Sequence, residues 1–130
     1  MNASYKGLTI GQSASIERVF TAEDIAEYRE LTGDANFEEG TVPGPLLGGM
    51  ISNLLGTKLP GRGTNWLKQR YAFPAKACVG ETITATVEII RIRPEKELVN
   101  LRVRCTTPSG EVVCRGESLV LVKDIETVEA

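Results

Sequence analysis

The stretch from Gly40 to Gly61, GTVPGPLLGGMISNLLGTKLPG, limits what this chain can become more than any other. It predicts a helix that opens at Gly44 and Pro45, because proline suits the first helical position, where its missing N–H would be unpaired in any case. The helix is expected to end near Gly56. Leu46, Leu47, Met50, Ile51, Leu54 and Leu55 place apolar side chains on more than one face, so it needs protein around most of its girth. Gly48 and Gly49 weaken a helix interior by about 1 kcal/mol each relative to alanine, and close approach of another backbone or a ligand is the expected compensation.

The 130 residues, 42% of them hydrophobic, suit one domain covering 1–130, large enough to remove roughly two-thirds of its unfolded surface from water. Fifteen basic and seventeen acidic residues leave a net charge of -2. The basic residues are scattered, which argues against a nucleic-acid stripe or a polybasic membrane patch. No apolar run approaches the roughly 18 residues of a membrane span. Cys78, Cys105 and Cys114 have no CxxC spacing and follow no signal peptide, so the expectation is free thiols in the cytoplasm, read as core residues. The chain has no histidine. That removes the commonest general base and the commonest zinc ligand, and no metal site is expected.

Alternation over Ala14, Ile16, Arg18 and Phe20 predicts a short strand. Thr21 with Glu23 and Asp24 then predicts a capped helix running to Thr32, with Ile25, Tyr28 and Leu31 on its apolar side and Gly33 leaving it in a left-handed conformation. The polar run Asp34-Ala35-Asn36 reads as a turn in which Asp34 and Asn36 cap the backbone. After the central helix everything reads as strand. Leu67, Gln69, Tyr71 and Phe73 share one face; Gln69 pairs with backbone or lines a pocket. Ile83, Ala85, Val87 and Ile89 share another, and the phase then slips to Ile90 and Ile92, which predicts a bulge or bend. Leu101, Val103 and Cys105 face inward opposite Asn100, Arg102 and Arg104. The last strand, Glu111 to Val122, carries a bend at Gly116, and the tail from Lys123 to Ala130 is expected to fray. The sum is an α+β domain with a curled antiparallel sheet wrapped around one long central helix.

The residues Thr32-Gly33-Asp34-Ala35-Asn36, Val42-Pro43-Gly44-Pro45-Leu46-Leu47, Ile51-Ser52-Asn53-Leu54-Leu55-Gly56, Leu59-Pro60-Gly61-Arg62-Gly63, Gln69 with Phe73, Val79-Gly80-Glu81 and Gly116-Glu117 resemble, over nearly the whole length, the MaoC-like (R)-specific enoyl-CoA hydratases of the hot-dog fold. The resemblance implies a homodimer joined edge to edge and an acyl-CoA or acyl-carrier-protein thioester as substrate. It also implies hydration of trans-2-enoyl thioesters to (R)-3-hydroxyacyl thioesters without metal or redox cofactor. Asp34 matches the family's base, Asn36 its water-positioning residue and Gly44 the backbone donor to the thioester oxygen. Pro43, Met50, Leu54, Gln69 and Phe73 are the candidates for contact with substrate, although Met50, Leu54 and Phe73 also fit a plain core.

One departure stands out. The family segment Asp-x-Asn-Pro-x-His-x-Asp has only its first and third members here. Phe37 replaces the proline, and the histidine with about a dozen following residues is missing before Gly40, where a substrate-gating loop would sit. Either the segment is truly lacking, or the sequence omits a loop; the intact landmarks on both sides favour an omitted loop. Three activities follow as expectations: an enoyl-thioester hydratase; an acyl-CoA thioesterase, since one fold hosts both chemistries; or a non-catalytic acyl-thioester-binding relative.

Overall fold

The computed structural model of the protein describes residues 5–126. The elements are β1 (Ser13–Val19), α1 (Ala22–Thr32), α2 (Gly44–Thr57), β2 (Asn65–Ala72), β3 (Thr82–Arg93), a 3₁₀ turn (Pro94–Lys96), β4 (Leu98–Thr106) and β5 (Val112–Leu121). All strand pairs are antiparallel and the sheet runs β1-β3-β4-β5-β2. The strand after the helix, β2, therefore lies at one edge and β1 at the other.

Why the sheet closes on α2 follows from its inward residues. Ile83, Ala85, Val87 and Ile89 of β3 and Val99, Leu101, Val103 and Cys105 of β4 are fully buried, in one cluster with Leu47, Met50, Ile51, Leu54 and Leu55 of α2. The predicted slip in β3 is a bulge between Ile89 and Arg91, the kind of insertion that curls a long strand. A second bulge, between Trp66 and Lys68, was not expected. It moves Leu67 out to 54% exposure and turns Trp66, opposite the buried Val120, inward in its place. A single extra residue inverts the facing of everything before it.

Helix α1 is capped as read: Asp24 N–H donates to Thr21 Oγ1 at 3.1 Å and Thr21 N–H to Asp24 Oδ2 at 2.9 Å, and Gly33 closes the helix at φ 74°. Leu31, expected on its apolar side, is 87% exposed, because α1 is pinned only through Ile25 and Tyr28. Helix α2 is buried along one broad face, while Pro45, Gly49, Ser52 and Asn53 are exposed. The expectation of protein around most of its girth is thus not met by this chain alone. Nor do Gly48 and Gly49 touch another backbone: an added Cβ at Gly49 would meet nothing within 4 Å, and at Gly48 only the Tyr71 ring at 4.0 Å.

Two further expectations are corrected. Cys105 and Cys114 are buried free thiols, but Cys78 is exposed. The segment 123–126 is docked, not frayed: Ile125 is buried, and Glu126 N–H donates to the Arg62 carbonyl at 2.9 Å. The rest of that tail, 127–130, lies outside the described residues.

Candidate active site

The start of α2 has no capping side chain and no acidic residue in its first turn; Pro43 is buried just before it, at φ -64°. The first amides of a helix have no intrahelical partner, and they sit at the positive end of its dipole. Gly44 therefore presents an N–H suited to a developing negative oxygen, and the lack of a side chain there has a visible reason. A Cβ on Gly44 would lie 2.8 Å from Phe73 Cζ and 3.0 Å from Cε1. The half-exposed Phe73 ring, just beyond β2, lies directly over the first turn of α2.

From this point a groove of about 480 Å³ runs between α2 and β2, lined among others by Gly44, Gly48, Gly49, Gln69, Tyr71 and Phe73. The two glycines thus face a groove instead of a packed neighbour. Tyr71 Oη lies 2.9 Å from Ser118 Oγ, and burial drives the Tyr71 phenol well above its ordinary range. Trp66 completes the lining; its indole Nε1 is buried and has no hydrogen-bond partner among the described residues. Sequence reading missed Tyr71 with Ser118, although both are polar at inward phases of facing strands, and it missed Trp66 because the bulge is invisible in the pattern.

Asp34 sits elsewhere, at the exit of α1. Its Oδ2 accepts from Tyr28 Oη at 2.6 Å and its Oδ1 from Asn36 N–H at 2.9 Å. The Tyr28 hydroxyl first, and then the Asn36 amide, hold the carboxyl below the usual range; bonds to the charged form favour it. The turn-capping use of Asp34 is therefore real, with Tyr28 an unforeseen partner. Neither Asp34 nor Asn36 lines the groove at Gly44. Asn36 is exposed, while Phe37 packs at 5.9 Å on Tyr28 and lies 5.1 Å from the Arg29 guanidinium. Met50 and Tyr28 share a different hollow of about 620 Å³ between β1, α1 and α2, together with Arg18, Phe20, Leu46 and Asn53. Leu54 lines neither and is fully buried core. Of the residues singled out from sequence, the structure brings together Gly44, Gln69 and Phe73.

Thr41 N–H donates to the Glu38 carbonyl at 3.2 Å, Glu38 pairs with Lys76, and Val42 N–H donates to the Ala77 carbonyl at 2.8 Å. These contacts anchor the short segment that leads into α2.

No family model matches the chain. It is similar to the (R)-specific enoyl-CoA hydratase of Rhodospirillum rubrum, 35% identical over 91% of this chain and 90% of that protein. The hydratase of the same description from Aeromonas caviae is 33% identical over 90% of this chain and 97% of its own length. Among solved structures, the A. caviae (R)-hydratase described as involved in PHA biosynthesis superposes with a TM-score of 0.86 at 32% identity, covering 91% of this chain and 99% of its own. The match to the R. rubrum protein extends over 131 residues yet holds only 91% of the 130 here, so about a dozen positions of that relative have no counterpart, a size of change that connecting segments tolerate.

Proposed function

We propose, from the fact that this chain belongs to the (R)-specific enoyl-CoA hydratase family and has its hot-dog fold, that it binds acyl thioesters at the start of α2 and catalyses their reversible hydration. The observation that carries the reading is the uncapped N-terminus of α2 at Gly44, opening onto a groove. As water adds to C3 of a trans-2-enoyl thioester, the electron pair of the double bond moves toward the thioester oxygen, and the Gly44 N–H donates to that oxygen. Asp34 takes the water proton and Asn36 orients the water; return of a proton to C2 gives the (R)-3-hydroxyacyl thioester. No residue here replaces a histidine in this scheme, and Tyr28 orients the carboxylate. The test is loss of enoyl absorbance with crotonyl-CoA. Turnover that falls at least about 100-fold in Asp34→Asn supports the roles given; turnover unchanged in that variant refutes them.

A second reading has its own support. Asp34 is held below the usual carboxylate range by two hydrogen bonds and does not line the Gly44 groove, features of a subunit that binds acyl thioesters without turning them over. Titration of butyryl-CoA that shows binding, with no loss of crotonyl-CoA absorbance, selects it. Thiol release from a saturated acyl-CoA would select a thioesterase. The chain further acts as a homodimer in the cytoplasm: β2 is an edge strand among the described residues, with Leu67 on it and Phe73 just beyond it exposed, and the three cysteines are free. A solution mass of one protomer would refute the dimer. No described helix is long and apolar enough to cross a membrane.

A further inference from the structure

On the outer face of the sheet the register gathers four arginines. Arg104 of β4 stands directly opposite Arg115 of β5; Arg102, two residues along β4, faces Glu117, and Arg70 of β2 faces Glu117 from the other side. All four are exposed, and with Glu117 they line a shallow depression of about 610 Å³. Arg102 pairs with Glu88 at 3.1 Å, and Glu117 accepts from Asn100 Nδ2 at 3.2 Å. Among the described residues no carboxylate lies within ion-pair distance of Arg70, Arg104 or Arg115. Like charges directly opposite each other destabilise a strand pair, and among the described residues neither Arg104 nor Arg115 has an ion-pair partner to offset this.

We propose that this cluster is a phosphate site, and that it takes the nucleotide phosphates of a coenzyme A thioester, with Arg104 and Arg115 as the principal contacts. The proposal rests on the acyl-thioester reading above. Planar guanidinium forks match phosphate oxygens two at a time. With strands about 4.8 Å apart and same-face neighbours about 6.6 Å apart, the four side chains spring from a patch of roughly 10 by 7 Å, the scale of one phosphorylated nucleotide and small for a protein interface. The placement also serves the candidate site. Ala72 lies opposite Arg115 on the outer face, and the next residue, Phe73, turns to the other face and covers Gly44, so a ligand that joins the two sites passes round this end of β2, with the pantetheine arm as the part that makes the turn.

The test is calorimetric titration of the full chain with butyryl-CoA, butyryl-3′-dephospho-CoA, S-butyryl-pantetheine and free coenzyme A. Binding should weaken about fivefold without the 3′-phosphate and at least about tenfold without the nucleotide. Both differences should vanish in Arg104→Gln/Arg115→Gln, and Arg104→Lys/Arg115→Lys, which keeps the charge but loses the fork, should fall between. Equal affinity for butyryl-CoA and S-butyryl-pantetheine overturns the phosphate site and leaves the thioester reading standing. Free coenzyme A binding as tightly as butyryl-CoA, with the arginine dependence intact, supports the site and removes the thioester reading. Absence of all binding overturns both. Loss of binding to an acidic butyryl-carrier protein in the glutamine variant, with butyryl-CoA binding unchanged, assigns the surface to a protein and overturns the proposal.

Discussion

Replacing Gly116 with alanine tests how β2 is held, and through it the groove. An added Cβ would lie 1.8 Å from the Arg70 carbonyl oxygen and 2.9 Å from both the Arg70 carbonyl carbon and Tyr71 Cδ1. Carbon contacts are comfortable at about 3.5–4.0 Å, so the strands must part by well over an ångström. The clash is with backbone, which no rotamer change relieves. Overpacking of this kind costs about 1–3 kcal/mol. Parting β5 from β2 around Tyr71 and Gly116 adds roughly two lost hydrogen bonds at about 1 kcal/mol each, for a total near 3–5 kcal/mol. For a chain of this length each kcal/mol moves Tm by about 3–5 °C, so the variant should melt some 10–20 °C below the parent. The assay is thermal unfolding by circular dichroism, with Gly49→Ala as the control. Nothing lies within 4 Å of a Cβ at Gly49, so the control should match the parent or gain up to about 1 kcal/mol from helix propensity. A Gly116→Ala protein melting within about 3 °C of the parent would refute the close approach of β2 to β5.

Other outcomes follow from the same geometry. Thr21→Ala removes the reciprocal cap of α1 and should destabilise the protein by about 1 kcal/mol in denaturant titration, whereas Thr21→Ser should restore most of it. Tyr28→Phe removes the main cause of the lowered Asp34 pKa, so NMR titration should find the carboxyl shifted upward. The sign of the linkage is fixed: a depressed folded pKa adds stability that is present above the unfolded value near 3.9 and lost as pH falls through the folded one. Acid unfolding of the Phe variant should therefore lose part of that steepness below about pH 4. Thiol labelling of the native protein should modify Cys78 alone. Cys105, hydrogen-bonded to Cys114 and buried, holds its proton well above the usual thiol range, and labelling of all three at one rate would contradict the packing of β4 against β5.

Much of the scaffold was legible because it rests on local periodicity. The alternation in β3 and β4, the capped α1 with Gly33 at its exit, and the proline-led start of α2 each follow from side-chain spacing or from the backbone demands of one residue, and no distant partner changes them. The slip at Ile90 was readable for the same reason. The bulge that puts Trp66 inside was not, since it depends on how β2 meets β5, a partner far along the chain. In the sequence Gly116 reads as a bend, but its reason is the close approach of the Arg70 carbonyl.

The site divides along the same line. Sequence alone determined that the first turn of α2 is uncapped at Gly44, that no histidine is present and that Asp34 and Asn36 form a turn, because each is a matter of which residues stand next to one another. Only the tertiary structure decided that Phe73 covers Gly44, that Gly48 and Gly49 face a groove, that Tyr28 reaches Asp34 and that Arg104 opposes Arg115. Those pairings are set by strand register and helix docking, which long-range packing of the whole core fixes and which no short window of sequence contains.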